Sequence, residues 1–249
     1  MMKKEITIKL KDVSFSWPVH NKKNGFNSSL KSSLIGGGIG CQKNKVSISA
    51  LKDISFTLES GDRLGLIGRN GGGKSTLLRI LAGTLFPSSG DITVQGKIAT
   101  LFTNAIGLHQ EATGYENIFM MSKLLGVPCS TARVKAIEDF TELGSFLNLP
   151  LRTFSAGMRT RLGFAIATSI ESDILLIDEI IGAGDQGFQK KASQLIKEKI
   201  QDAGILVIAS HDSSVLSAYC NKALWIENGS IRKFGLADEV LNEFQANTV

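Results

Sequence analysis

The sequence predicts an α/β fold, a mostly parallel sheet flanked by helices, and three observations carry that prediction. Two dense apolar runs, 174–177 and 205–209, are short and bounded by polar residues, as parallel strands covered on both faces are. Apolar residues recur at helical spacing at Val134, Ile137 and Phe140, and again at Phe188, Ala192, Leu195 or Ile196, Lys199 or Ile200 and Ala203, the latter closed by Gly204. A third apolar run, 64–67, passes into a glycine-rich stretch and then into Leu77, Leu78 and Leu81 at helical spacing.

From the start, Ile6, Ile8, Leu10, Val13, Phe15 and Trp17 alternate with polar neighbours in the two-residue period of a half-buried strand. Residues 20–46 then lose any period and are rich in Lys, Asn, Ser and Gly, so an inserted loop is expected over about 20–47. Strand character returns at Ile54, Phe56 and Leu58, and Gly61 with Asp62 forms a tight turn into the run at 64–67. No repeat of fixed period is present, and a single domain over 1–249 with appendages is the expectation.

Composition narrows the classes. A chain of 249 residues with 43% hydrophobic content and four prolines can bury a substantial core. No window approaches the roughly 18 uninterrupted apolar residues of a membrane span, and the lysine-bearing start lacks the apolar core of a signal peptide. A cytoplasmic location is therefore expected. Cys41, Cys129 and Cys220 are widely spaced and form no C-x-x-C pair, so neither a disulfide framework nor a zinc knuckle is indicated. The formal charge of +5 resides in one segment: Lys22, Lys23, Lys31, Lys43 and Lys45 lie in 20–46 with no acid, and the remaining 23 basic residues balance 23 acids. That concentration argues against nucleic acid, whose binders spread their cations over a docking face. It suits anionic lipid headgroups or a lipid-linked glycan at a membrane surface. Vesicle binding unchanged after neutralising those five lysines would contradict such a contact.

Residues 68–76 read GRNGGGKST and match G-x-x-x-x-G-K-[ST] between an apolar strand and a helix. Gly71, Gly72 and Gly73 let successive N–H groups face one concavity, and the helix that follows adds its positive end. Gly68, Arg69, Asn70, Gly71, Gly72, Gly73, Lys74, Ser75 and Thr76 are thus expected to bind ATP, with Lys74 reaching the terminal phosphates and the Ser75 hydroxyl ligating Mg²⁺. The run at 174–177 ends in Asp178 and Glu179, at the strand end where open parallel sheets bind ligands. Asp178 suits magnesium, and Glu179 suits the polarisation of an attacking water. The run at 205–209 ends in Ser210, His211 and Asp212, bringing an imidazole to the same edge. Ser155, before Leu162, Ala165, Ile166 and Ser169 at helical spacing, reads as a helix N-cap with small neighbours, a second anion site that is redundant unless it serves a phosphate held by another molecule.

Taken together, GRNGGGKST, FSAGM at 154–158, ILLIDE at 174–179, IGAGD ending at Asp185 and SHD at 210–212 resemble the ABC ATPase family in identity, order and spacing over nearly the whole chain. The resemblance implies a phosphate-loop core of ABC type, with an antiparallel β subdomain and a helical subdomain at about 105–165. It also implies a head-to-tail homodimer sandwiching two ATP molecules. In that arrangement Ser155, Ala156 and Gly157 contact nucleotide across the dimer, Asp185 lies in the D-loop, His211 is the switch histidine and Trp17 stacks on adenine. The stretches EATGYENI at 111–118 and DE-x-IGAGD at 178–185 are similar to the ATPases that export O-antigen, capsule or teichoic-acid chains. This implies an integral membrane permease as partner and a peripheral position on the cytoplasmic face of the inner membrane. An exporter of drugs or lipids, or a non-transport ATPase of the family, are the alternatives. Two departures stand out: Thr103 occupies the Q-loop position, and Ala156 and Met158 replace the common Gly and Gln of the signature.

Overall fold

The computed structural model describes residues 5–19, 38–42, 45–102, 107–179 and 186–247. Strand β1 (Thr7–Val19) pairs antiparallel with β3 (Lys45–Glu59), whose outer neighbour is β2 (Gly38–Gln42). The expected inserted loop is corrected here at its far end. Residues 38–42 pair with 45–49, so part of the glycine-rich segment satisfies its backbone groups by extending a sheet. Residues 20–37 and 43–44, with four of the five lysines, lie outside the described residues.

Strand β4 (Arg63–Ile67) leads to helix α1 (Lys74–Leu81), and β5 (Ser89–Gln95) completes a four-stranded antiparallel sheet in the order β2-β3-β1-β5. Strand β6 (Ile98–Phe102) precedes α2 (Gly114–Leu124), α3 (Thr131–Thr141) and α4 (Ala156–Thr168). The rest alternates as β7 (Ile174–Asp178), α5 (Gln186–Asp202), β8 (Ile205–Ala209), α6 (Ser213–Tyr219), β9 (Lys222–Glu227), β10 (Ser230–Leu236) and α7 (Ala237–Ala246). The central sheet runs β10-β9-β4-β8-β7-β6 and is parallel except for the β9–β10 hairpin.

Burial explains this layering. Every residue of β8 is buried, as are the first four of β7, because helices or the second sheet cover both faces. On one face, Leu77, Leu78, Ile80 and Leu81 of α1 wedge between the two sheets, each contributing roughly 1.5–3 kcal/mol by leaving water. On the other face, Phe188, Ala192, Ile196, Ile200 and Ala203 form one buried stripe, which settles the two positions the periodicity left open. A third cluster, including Ile118, Met121, Ile137, Leu147, Phe154 and Leu162, holds α2, α3 and α4 together as a helical unit. Helix α4 runs three residues past the expected boundary at 165, and its Phe164 packs with the sheet core while Leu162 and Ile166 pack with the helical unit. One helix is thus shared by two cores. Among the described residues no helix is long and apolar enough to cross a membrane.

Candidate functional site: a phosphate cradle at three strand tips

Strands β7, β8 and β4 are consecutive in the sheet, so Asp178, Ala209 and Ile67 end side by side. The segments that leave these tips enclose a cavity of about 380 Å³. Asn70, Gly71, Gly72, Gly73, Lys74, Ser75 and Thr76 from the loop and α1, Asp178, Glu179, Ser210 and His211 from the tips of β7 and β8, and Trp17 from β1 line it.

The loop between β4 and α1 has its shape because two positions exclude a side chain. Gly68 lies at φ 150°, and a Cβ there would meet the Ile226 carbonyl oxygen at 2.1 Å. Gly73 lies at φ 114°, where a Cβ would meet Ala50 O and Leu51 Cδ2 at 2.8 Å. The loop therefore rests on the backbones of β3 and β9, and Gly229 N–H donates to Gly72 O at 3.1 Å to tie it to the β9–β10 turn. Lys74 Nζ donates to Gly68 O at 2.6 Å and Arg69 O at 3.1 Å, arching over the loop. Burial holds its ammonium below the usual lysine range, and the carboxylates of Asp178 and Glu179 oppose that shift. A phosphate in the cradle would supply the counter-charge that this half-buried cation lacks from its carbonyl partners.

Glu179 follows the tip of β7 at φ 60°, a left-handed conformation that costs a glutamate about 1 kcal/mol. Its N–H donates to Ala209 O at 3.0 Å, which turns the chain and aims the carboxylate across the strand tips. There Glu179 Oε1 pairs with His211 Nδ1. With the proton on Nδ1 the imidazole donates to the carboxylate and leaves Nε2 as an acceptor. A carboxylate paired with an imidazole thus lines the same cavity as Lys74.

Trp17, 39% exposed, sits in β1 opposite Ile48 and meets Phe15 edge-on, with ring centroids 4.9 Å apart and planes at 86°. Ile48, Ser49 and Ala50 of β3 complete that wall, and sequence reasoning missed them. The signal was available: Val46, Ile48 and Ala50 alternate with Lys45, Ser47 and Ser49, a strand period hidden by the basic composition next to it.

Two expected ATP-binding residues do not line the cavity. Gly68 is buried beneath the loop, and the side chain of Arg69 lines a separate cleft with Trp225, Glu227, Arg232, Phe244 and Asn247. Arg69 serves the loop through its carbonyl, which accepts from Lys74 Nζ and from Gly72 N–H. Ser155, Ala156 and Gly157 are also absent from the cavity wall. Ser155 caps α4, its Oγ accepting from Met158 N–H at 3.2 Å, and its surface is exposed. Asp185 and Thr103 lie outside the described residues.

Oxygen donors suited to magnesium are present, since Ser75 offers a hydroxyl and Asp178 a carboxylate in the same cavity as Lys74. Among the described residues no group of three or more His, Cys, Asp or Glu could hold a metal ion alone. A cation bound by two protein oxygens completes its shell with phosphate and water, as magnesium does beside nucleotides.

The chain is similar to known proteins in sequence and in fold. The family profile described as ABC transporter matches residues 51–182. An O-antigen export system ATP-binding protein (RfbE) of Yersinia enterocolitica is 46% identical over 228 residues, covering 89% of this chain and 94% of the relative. A teichoic acids export ATP-binding protein (TagH) of Listeria monocytogenes is 38% identical over 197 residues, covering 78% of this chain and 58% of the relative. Among solved structures, a dimeric ATP-binding cassette in a post-hydrolysis state with ADP and Pi superposes with a TM-score of 0.66 at 21% identity, over 92% of this chain and 98% of that one. That last likeness concerns the fold.

Proposed function

This chain belongs to the ABC transporter family, and we propose that it works there as the ATP-hydrolysing subunit of an exporter for a polysaccharide or lipid-linked glycan. The observation that carries the hydrolytic half of this reading is the convergence of Lys74, Asp178, Glu179 and His211 on one cavity at three neighbouring strand tips. The cargo half rests on relatives named for O-antigen and teichoic acid export, one of them similar along nearly its whole length.

The chemistry follows from the placement. Loop N–H groups and Lys74 hold the phosphates, and Trp17 stacks on the adenine from the β3 side. Glu179 takes a proton from water as the water oxygen bonds to the γ-phosphorus and the bond to the bridging oxygen breaks, leaving ADP and phosphate. His211 holds the Glu179 carboxylate in line and presents its other nitrogen to the transferring group. Magnesium held by Ser75 and Asp178 would neutralise developing charge on the phosphate oxygens. Trp17→Ala is expected to raise the Kd for ATP about fivefold by calorimetry, and unchanged affinity would exclude the stacking role.

Ser155, Ala156 and Gly157 do not line the chain's own cavity, and Ser155 is exposed, which suits contact with nucleotide held by a second copy. Asp185 is proposed to lie at the same junction. The homodimer would sit on the cytoplasmic face of the inner membrane, bound to a permease and, through the basic insertion, to anionic headgroups. Affinity purification from detergent-solubilised membranes tests the transport assignment: a polytopic partner should come with the chain, and purification without one would favour a non-transport role.

A further inference from the structure

Asn117 lies in α2 and does not line the cavity, yet it is fully buried and its amide is hydrogen-bonded through both oxygen and nitrogen. Oδ1 accepts from His109 N–H at 2.7 Å, and Nδ2 lies within donor distance of the carbonyls of His109 (3.0 Å), Ala112 (3.2 Å) and Thr113 (2.8 Å). One side chain therefore fixes the backbone of 109–113, as a turn with its own ladder would. The end of this segment is also held by the Thr113 and Glu116 capping box, and Gly114 packs so closely on Leu147 that a Cβ would meet its Cδ2 at 2.7 Å.

What that segment holds in turn is the approach to Ser155. Leu151 N–H donates to Ala112 O at 3.0 Å, Arg152 N–H donates to Gln110 O at 2.9 Å, and Thr113 bridges Pro150. Arg152 Nε reaches Glu111 Oε2 at 3.0 Å, and three residues later Ser155 begins α4. At its other end the segment connects back to Phe102, which pairs with Asp178 at the tip of β7. Segment 109–113 and the chain entering α4 are thus zipped together, and Asn117 is the buried pin of the zip.

We propose that Asn117 is a positioning residue: by locking 109–113 against 150–152 it sets the placement of Ser155 for the nucleotide of a second copy. This rests on the cross-dimer reading of Ser155 given above. An amide suits the task because a buried Asn that loses its partners leaves several carbonyls unsatisfied, which makes the locked arrangement strongly preferred.

The test uses the full chain with Glu179→Gln, which slows hydrolysis and lets ATP-driven dimers be measured by analytical ultracentrifugation. Asn117→Leu keeps the side chain's size and removes every bond it makes. It should leave the ATP affinity of the monomer within about twofold while raising the protein concentration needed for ATP-dependent dimerisation about tenfold. A purely structural residue would lower both together or neither, so parallel loss, or dimerisation at the parent's concentration, would overturn the assignment. Should the Leu variant not fold, Thr113→Val loosens the same segment from its exposed side and should shift dimerisation about threefold, and no shift there would overturn it equally. Ser155→Ala in the same background separates the two levels. If it shifts dimerisation and the Asn117 variant does not, only the positioning role fails; if Ser155→Ala is itself silent, the cross-dimer reading fails with it.

Discussion

Glu179→Gln is expected to slow ATP turnover by on the order of 10²–10⁴-fold while leaving the Kd for ATP within about twofold. The carboxylate is placed by three features that the amide retains: the tip of β7, the left-handed turn at φ 60° and the backbone bond to Ala209 O. What the substitution removes is basicity. An amide cannot accept the proton that water releases as it bonds to phosphorus, and its pairing with His211 loses its charge-assisted character. Binding survives because Glu179 has no phosphate to hold; that work falls to the loop and Lys74. Single-turnover measurements with saturating nucleotide separate the two quantities, and a near-normal hydrolysis step would remove Glu179 from the chemistry.

Lys74→Ala should instead raise the Kd for ATP about 10²-fold, the loss expected when charge-assisted hydrogen bonds to a phosphate are deleted. The lysine has two tasks. On the proposed reading it neutralises the nucleotide's terminal phosphates, and in the structure it donates to the Gly68 and Arg69 carbonyls. Its removal therefore withdraws a cation and takes a donor from each carbonyl, with Arg69 O keeping only the Gly72 N–H. Calorimetry measures this directly, and an affinity close to that of the unaltered chain would contradict the cradle.

Much of the hydrolytic site is legible in the sequence because its groups sit where continuous apolar runs stop. The runs 174–177 and 205–209 announce buried parallel strands, and Asp178 and Glu179 directly follow the first while Ser210 and His211 directly follow the second. That β4, β7 and β8 are neighbours follows less directly, since strand order is a property of topology and not of local pattern. The wall formed by Ile48, Ser49 and Ala50 was obscured by composition, as the lysine- and glycine-rich stretch before it masks a two-residue alternation. The direction of Arg69 could not be read at all. In a loop no period governs which side chain faces the ligand, and only packing against β9, β10 and α7 turns it away. Asn117 illustrates the same limit from the opposite side: a polar residue in a helix reads as solvent-facing, and its role emerges only once Ile118, Met121 and Leu147 are seen to enclose its surroundings in a core.

The departures at the signature bear on strength more than on kind. Ala156 and Met158 flank Gly157 in the first turn of α4, and Ser155 still caps that helix, so the N-terminal dipole remains available to an anion. A weaker cross-dimer contact than a glutamine would give is the expected consequence, and it makes the placement of Ser155 by its supporting segment more consequential.

The claim on which the account depends is that each hydrolytic site draws Glu179 from one copy and Ser155 from the other, and subunit mixing tests it most directly. Glu179→Gln and Ser155→Ala should each be nearly inactive alone, because every site in either homodimer lacks one group. In the mixed dimer one of the two sites regains both, so an equimolar mixture should recover about a quarter of the unaltered ATPase rate. If the mixture hydrolyses ATP only at the average of the two variants, the site is not shared between copies.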